Sequence, residues 1–263
     1  MKIAVLGAGN IGGAIAVGVI KKGVVRGRNV TVTARTIDTL LSIESRVPSI
    51  RCTTDNIGAI KGADYIFLAV KPWILPSVVE QIKDFVDYSS QSIVSVVAGV
   101  DFNALTAMLD NGKGVKPTIY RVIPNTAISL AKSVTYISCC RATDANLEGL
   151  KRILEPLGQN FIIDESLMVA GTSLASCGIA FALKYIDASI KGGVELGFSE
   201  QDSRDMVMAT MEGALELLRK NMTLPQQEID KVTTEGGLTF KGLEAMSSGG
   251  FETSVIDGLK KSR

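Results

Sequence analysis

An apolar run of four residues, Ile3 to Leu6, leads without a break into Gly7-Ala8-Gly9-Asn10-Ile11-Gly12-Gly13. A short continuous apolar run reads as a strand buried on both faces. The glycines then meet three separate needs. Gly7 permits a tight turn, Gly9 lets a phosphate approach the backbone, and Gly12 lets the next helix pack closely on the strand. A helix opening here aims free N–H groups and the positive end of its dipole at an anion. The pattern predicts a Rossmann unit, with a dinucleotide held across Gly7, Gly9, Asn10, Ile11 and Gly12.

Strand and helix signals continue to alternate through the N-terminal half. Residues 11–21 read as a helix ended near Gly23, and residues 30–33, 65–70, 92–97 and 118–123 read as strands. Strands separated by helix-length segments predict βαβ units and a mostly parallel sheet. From about residue 165 the pattern changes. Leu167 to Leu196 is a long apolar-rich stretch with four glycines, and Gly197 follows it. Ser199 to Lys220 has helical periodicity, with Val207, Met211, Leu215 and Leu218 on one face and a start signal in Ser199, Glu200 and Asp202. Leu224-Pro225 opens another helix, which Gly236-Gly237 interrupts before helix resumes. The expected fold is thus α/β: a Rossmann-type doubly wound sheet over residues 1–164, then an all-α dimerisation domain over residues 165–263. The apolar content of the second part exceeds what about 100 residues bury alone, which points to burial between subunits. No internal repeat, low-complexity tract or flexible linker interrupts the chain.

The 263 residues carry a formal net charge of +1, so no basic field exists to attract nucleic acid. Met1 to Leu6 reads as a strand with no n-region before it, so no signal peptide is expected, and no apolar run is read as reaching the roughly 18 residues of a membrane span. Cys52, Cys139, Cys140 and Cys177 form no CxxC and read as reduced, mostly buried thiols of a cytoplasmic protein. The chain has no histidine. That excludes Ser-His-Asp hydrolysis, Cys-His nucleophiles, histidine-ligated metals and the histidine acid of many hydroxy-acid dehydrogenases. No metal site is expected.

The end of the second strand selects the dinucleotide. An NAD site places Asp or Glu there to accept from the ribose 2′-OH. Here the stretch is Thr33-Ala34-Arg35-Thr36, with no carboxylate before Asp38. A cation and a hydroxyl donor suit a 2′-phosphate, so NADP is favoured over NAD.

Several motifs now point the same way: Gly7 to Gly13, Leu68-Ala69-Val70-Lys71-Pro72, Ala98-Gly99-Val100, Arg121-Val122-Ile123-Pro124-Asn125-Thr126, and Val232-Thr233-Thr234-Glu235-Gly236-Gly237-Leu238-Thr239-Phe240-Lys241-Gly242-Leu243. Over essentially its whole length the chain resembles pyrroline-5-carboxylate reductase, and the last motif is the most specific. The resemblance implies reduction of 1-pyrroline-5-carboxylate to L-proline by NAD(P)H, the final step of proline synthesis. It implies a homodimer through the helical domain, with dimers assembling further into decamers, and an active site where domains and subunits meet. It places Asn56, Ala69, Val70, Lys71, Pro72, Ala98, Gly99 and Asn125 around the cofactor, with Ala34, Arg35 and Thr36 at its 2′ end. It places Thr234, Gly236, Gly237, Leu238 and Thr239 around the substrate carboxylate, with Thr239 near the imine nitrogen as the catalytic residue.

The sequence departs from the family at Ser176-Cys177-Gly178-Ile179-Ala180, which lacks the usual proline. It departs again at Thr234-Glu235, where Ser-Pro is usual, and at Ala127 in place of a proline. The chemistry agrees with the absence of histidine. A protonated cyclic iminium is already electrophilic, so hydride transfer depends on orientation more than on a strong acid. Two other readings stay open at this point. One is a reductase of another cyclic imine or of a β-hydroxy acid, the latter using a lysine such as Lys184 or Lys191. The other is a non-catalytic NADP-binding sensor.

Overall fold

The computed structural model describes every residue from Met1 to Arg263. The chain divides into two compact units, Met1–Ser176 and Cys177–Arg263.

The first unit is built on one eight-stranded sheet. Its strands are β1 (Ile3–Leu6), β2 (Val30–Thr33), β3 (Arg51–Thr53), β4 (Tyr65–Leu68), β5 (Ser92–Ser95), β6 (Thr118–Pro124), β7 (Ser133–Cys140) and β8 (Gly158–Ile162). Their order is β3-β2-β1-β4-β5-β6-β7-β8, and every neighbouring pair is parallel except β6–β7. The chain leaves β1 towards β2 and β3, then crosses back to β4 on the other side. The carboxyl ends of β1 and β4 therefore flank the switch point where ligands of such sheets bind.

The helices of this unit are α1 (Asn10–Lys21), α2 (Ile37–Arg46), α3 (Asn56–Ile60), α4 (Leu75–Ile82), α5 (Phe102–Met108) and α6 (Asp144–Leu154), followed by the short α7 (Met168–Gly171). They cover both faces of the sheet, and the strands show it. Ile3, Val5, Tyr65 and Phe67 enter one hydrophobic cluster, while Ala4, Leu6, Ile66 and Leu68 enter the other. Successive side chains point to opposite faces, so a strand covered twice must be apolar at every position.

Sequence and structure differ at the strand ends. β4 stops at Leu68 and β5 at Ser95, two residues before the apolar runs end. The residues that follow leave the ladder to form the carboxyl edge. β3 and β8 gave no apolar signal because both are short edge strands with half-buried or exposed side chains. β6 and β7 form an antiparallel pair joined by the single turn Thr126–Leu130, a connection too short for a parallel crossover.

A helical run extends from Glu165 to Glu195, through α7, a π-helical turn at Thr172–Cys177, and α8 (Gly178–Glu195). Its best 18-residue window has a mean hydropathy of 1.7, so the run is long and apolar enough to cross a membrane by length and composition. This corrects the expectation that no such stretch exists. Small residues such as Gly171, Thr172, Ser173 and Ser176 dilute the apolar character, but Ser166 to Leu183 holds no charge at all. The four cysteines are free and half-buried, where fuller burial was expected. Burial still pushes the Cys52 and Cys139 thiols up.

The second unit continues with α9 (Glu200–Asn221), α10 (Pro225–Val232), α11 (Leu238–Ser248) and α12 (Phe251–Lys261). The predicted start of α9 is present: the Ser199 side chain accepts from the Asp202 N–H. On its apolar face Val207, Met211 and Leu218 are half-buried and Leu215 is exposed. Ser203 is the single buried residue of the whole unit. Leu183, Leu196, Phe198, Met206 and Met208 are all exposed. Helices with this much uncovered apolar surface need another surface to bury it.

Candidate active site

The glycine turn has the geometry of a phosphate cradle. Gly7 has φ +108°, and a Cβ there would press on the Ala69 carbonyl and the Val70 side chain. A Cβ on Gly12 would overlap the Gly7 carbonyl oxygen, so α1 can pack this close only with glycine there. Gly9 is different: nothing lies within 4 Å of where its Cβ would be. The protein leaves that space open, which fits a group brought in from outside. Gly9 is the N-cap of α1 with no side-chain cap, and its carbonyl takes the first helical bond from Gly13 N at 2.8 Å. The N–H groups of Asn10, Ile11 and Gly12 therefore have no partner within the helix.

The end of β2 is held by a chain of side chains. Thr33 Oγ1 donates to Asn56 Oδ1 at 2.7 Å, and Asn56 Nδ2 donates to Gln81 Oε1 at 2.9 Å. Asn56 thus ties β2 to α3 and α4 and forms part of a wall. Ala34 is half-buried, whereas Arg35 and Thr36 are exposed. Thr36 shares a 2.8 Å hydroxyl contact with Thr39, and Arg35 enters no salt bridge. Its charge is available to a ligand.

The loops after β4, β5 and β6 complete this edge. Ala69 N donates to Leu6 O at 2.8 Å, which sets the loop beside the glycine turn. The carbonyl of exposed Lys71 accepts from Ile74 N and Leu75 N, and Pro72 opens a one-turn helix over Pro72–Ile74. Ala98 and Gly99 are exposed, and Gly99 has φ +77°. Asn125 is buried, accepting from Ala127 N at 3.2 Å and donating to Ala175 O at 3.4 Å. Its amide braces the π-helical turn. All sixteen residues expected around the cofactor, from Gly7 to Asn125, thus belong to the carboxyl edge of the first unit's sheet or to the helix ends beside it.

The residues expected around the substrate lie in the second unit. Gly236 has φ +69°, and Gly237 is the N-cap of α11 with its N–H donating to Thr234 O at 2.9 Å. The first helical bond runs from Lys241 N to Gly237 O, leaving the N–H groups of Leu238, Thr239 and Phe240 free. Thr239 is the second helical residue, with its side chain exposed. Glu235 is exposed.

Sequence reasoning missed one polar constellation. Arg121 on β6 is buried, and its Nη1 donates to Glu165 Oε1 at 2.8 Å. The same oxygen accepts from Phe102 N at 2.7 Å, at the start of α5. Glu165 therefore fastens the loop carrying Ala98 and Gly99 to β6. The signal was present as a lone arginine in the buried run Tyr120-Arg121-Val122, because a buried charge requires a partner. Nothing in the sequence said which carboxylate supplies it.

A glycine cradle at the switch point of a doubly wound sheet, followed by an all-helical unit with no core of its own, defines a dinucleotide-dependent oxidoreductase with a dimerisation domain. Residues 165–263 match the family model for pyrroline-5-carboxylate reductase dimerisation, and residues 2–99 match that for NADP oxidoreductases, coenzyme F420-dependent. Pyrroline-5-carboxylate reductase 2 of Dictyostelium discoideum is 32% identical, over 98% of this chain and 89% of that protein. Pyrroline-5-carboxylate reductase 1 of the same organism is 33% identical over 98% of this chain, which spans only 48% of that longer relative. A solved pyrroline carboxylate reductase of Plasmodium falciparum, crystallised with NADP bound, shares the fold with a TM-score of 0.88 at 24% identity, covering 100% of this chain and 95% of that one. The chain belongs to the pyrroline-5-carboxylate reductase family.

Proposed function

We propose that this protein reduces 1-pyrroline-5-carboxylate to L-proline, the last step of proline synthesis, with NADPH as reductant. The observation that carries the reading is one chain holding both an open glycine cradle beside an unpaired Arg35 and the Thr234–Thr239 turn of a family dimerisation domain. The bound dinucleotide would supply hydride from nicotinamide C4 to the imine carbon. The protein's own part is binding and orientation. The free N–H groups of Asn10, Ile11 and Gly12 bind the pyrophosphate. Arg35 and Thr36 bind the 2′-phosphate, and Ala98 and Gly99 leave room for the nicotinamide half. At the start of α11, three free N–H groups and the helix dipole favour the substrate carboxylate. The Thr239 hydroxyl donates to the ring nitrogen or holds a water there. Glu235, exposed, need not oppose the carboxylate.

The dimerisation domain buries its apolar helices against a second copy, and dimers assemble further, up to a decamer. We take its functional boundary at residues 164/165; the family match over residues 165–263 supports this, while the compact units part at 176/177. Four cysteines without a disulfide support a reducing compartment, the cytoplasm. Steady-state assays test the reading. NADPH oxidation dependent on pyrroline-5-carboxylate, with L-proline as product, is the expected result. Turnover of β-keto acids or of six-membered cyclic imines with pyrroline-5-carboxylate untouched would overturn it.

A further inference from the structure

The NADPH reading accounts for the backbone cradle and the 2′ end but assigns nothing to the adenine ring. The chain has one tryptophan, Trp73, and it is 74% exposed. It lies in the one-turn helix Pro72–Ile74 that follows the carboxyl end of β4. β4 pairs directly with β1, and β1 with β2, so this turn belongs to the same edge as the glycine loop and Arg35. Neither aromatic pair of the structure includes the indole.

The position of the residue is set by the helix it introduces. Leu75, Val78, Val79 and Ile82 form the buried side of α4. Ser77 and Gln81, four apart on α4, lie together on another side, and Trp73 stands in the 3-10 turn just before that helix. Gln81 identifies what that side faces, because it accepts from Asn56, and Asn56 accepts from Thr33 at the end of β2. Trp73 lies in the turn at the N-terminal end of α4, at the ligand edge, and that turn leads into the helix whose Gln81 side faces β2. In a dinucleotide whose pyrophosphate lies on Gly9 and whose 2′-phosphate lies on Arg35, that edge adjoins the adenosine half.

We propose that Trp73 is the adenine platform of this protein: its indole stacks on the adenine ring and closes the outer side of the adenosine subsite. This rests on the NADP reading above. A planar apolar ring left open at the edge of a binding crevice exposes surface that a base can cover, and every base has a π-face to offer. Lys71, two residues before Trp73, and Arg35, after the end of β2, enter no salt bridge and favour the phosphates on the same ligand. Trp73 would set affinity for the adenosine half alone, with no part in hydride transfer.

Because Trp73 is the sole tryptophan, its emission reports the contact directly. The full-length protein is titrated with adenosine 2′,5′-bisphosphate and, separately, with nicotinamide mononucleotide, while calorimetry measures binding. Saturable change of Trp73 emission with the bisphosphate, and none with the mononucleotide, is expected. Trp73→Ala should weaken bisphosphate and NADPH binding by about 5- to 150-fold, the span of base–aromatic stacking, while Trp73→Phe stays close to wild type. KM for NADPH should rise in Trp73→Ala in step with the lost affinity and stay close to wild type in Trp73→Phe. Unchanged emission together with equal bisphosphate affinity in Trp73→Ala would overturn the platform and leave the NADP reading standing. Emission that follows protein concentration and ignores nucleotide would show a subunit contact instead, and also overturn it. Failure of the bisphosphate to bind at all would remove both the platform and the NADP reading.

Discussion

Replacing Glu165 with alanine removes three things at once: the carboxylate facing buried Arg121, the acceptor of the Phe102 N–H, and the tie between them. The Arg121 side chain is only 7% exposed, while that of Glu165 is 33% exposed. Breaking a fully buried pair costs about 3–5 kcal/mol because the surviving charge is stranded. Water reaches Glu165 and part of the vacated space, so the expected loss is lower, about 2–4 kcal/mol. For a chain of this length that corresponds to a fall in Tm of roughly 5–12 °C. Glu165→Gln keeps an oxygen for both donors and loses only charge, so its loss should be about half as large. The double variant Arg121→Met/Glu165→Leu leaves no stranded charge and should recover most of the stability. Urea denaturation at fixed protein concentration measures all four proteins, since dimerisation contributes to apparent stability. The same alanine variant should raise KM for NADPH, because Phe102 N anchors the loop that carries Ala98 and Gly99. A loss below about 1 kcal/mol in Glu165→Ala, or a double variant no more stable than Glu165→Ala, would refute the reasoning.

Other substitutions separate the pieces of the site. Gly12→Ala places a methyl group on the Gly7 carbonyl, a backbone clash that no rotamer relieves, so stability should fall by about 1–3 kcal/mol along with nucleotide binding. Gly9→Ala meets open space and should leave the melting curve near wild type while NADPH affinity drops; a cofactor affinity that did not change would remove Gly9 from the cradle. Arg35→Ala should weaken NADPH by about 10- to 100-fold and NADH far less, as measured by the two KM values. Equal losses would sink the 2′-phosphate assignment. Thr239→Ala should lower kcat with NADPH affinity near normal, and unaltered turnover would reduce Thr239 to a helix-start residue.

Much of the first unit was legible because its signals are local. A strand covered on both faces must be apolar at every position, so β1, β2 and β4 stand out as runs. The glycines at 7 and 12 are each dictated by atoms a few residues away or across one ladder, while Gly9 borders open space. The absence of a carboxylate after Thr33 needs no structure to be seen. In the helical half, Ser199 marks the start of α9 through its own neighbours. The apolar excess of this half, read from composition alone, matches the exposed Leu183, Leu196 and Met208 and the dimerisation family model. Where the sequence failed, the deciding contact was distant. β3 and β8 exist because a neighbouring strand supplies hydrogen bonds, and half-exposed edge strands need no apolar pattern. The membrane-length apolar run Glu165–Glu195 gives no unbroken apolar signal, because glycine, serine and threonine break its pattern without adding charge.

The sequence alone determined the Rossmann unit, the phosphate cradle, the lean towards NADP and the turn at Gly236-Gly237, because each is written in spacing and residue type over short stretches. Only the tertiary structure decided which residues stand beside them. It paired Arg121 with Glu165 across 44 residues, linked Asn56 to Gln81, committed Asn125 to the π-helical turn, and left Trp73 exposed in the turn that follows β4. Those contacts depend on the order of strands in the sheet and on the rotation of one helix about its axis. Neither has a local signature, since both are fixed by how distant surfaces pack.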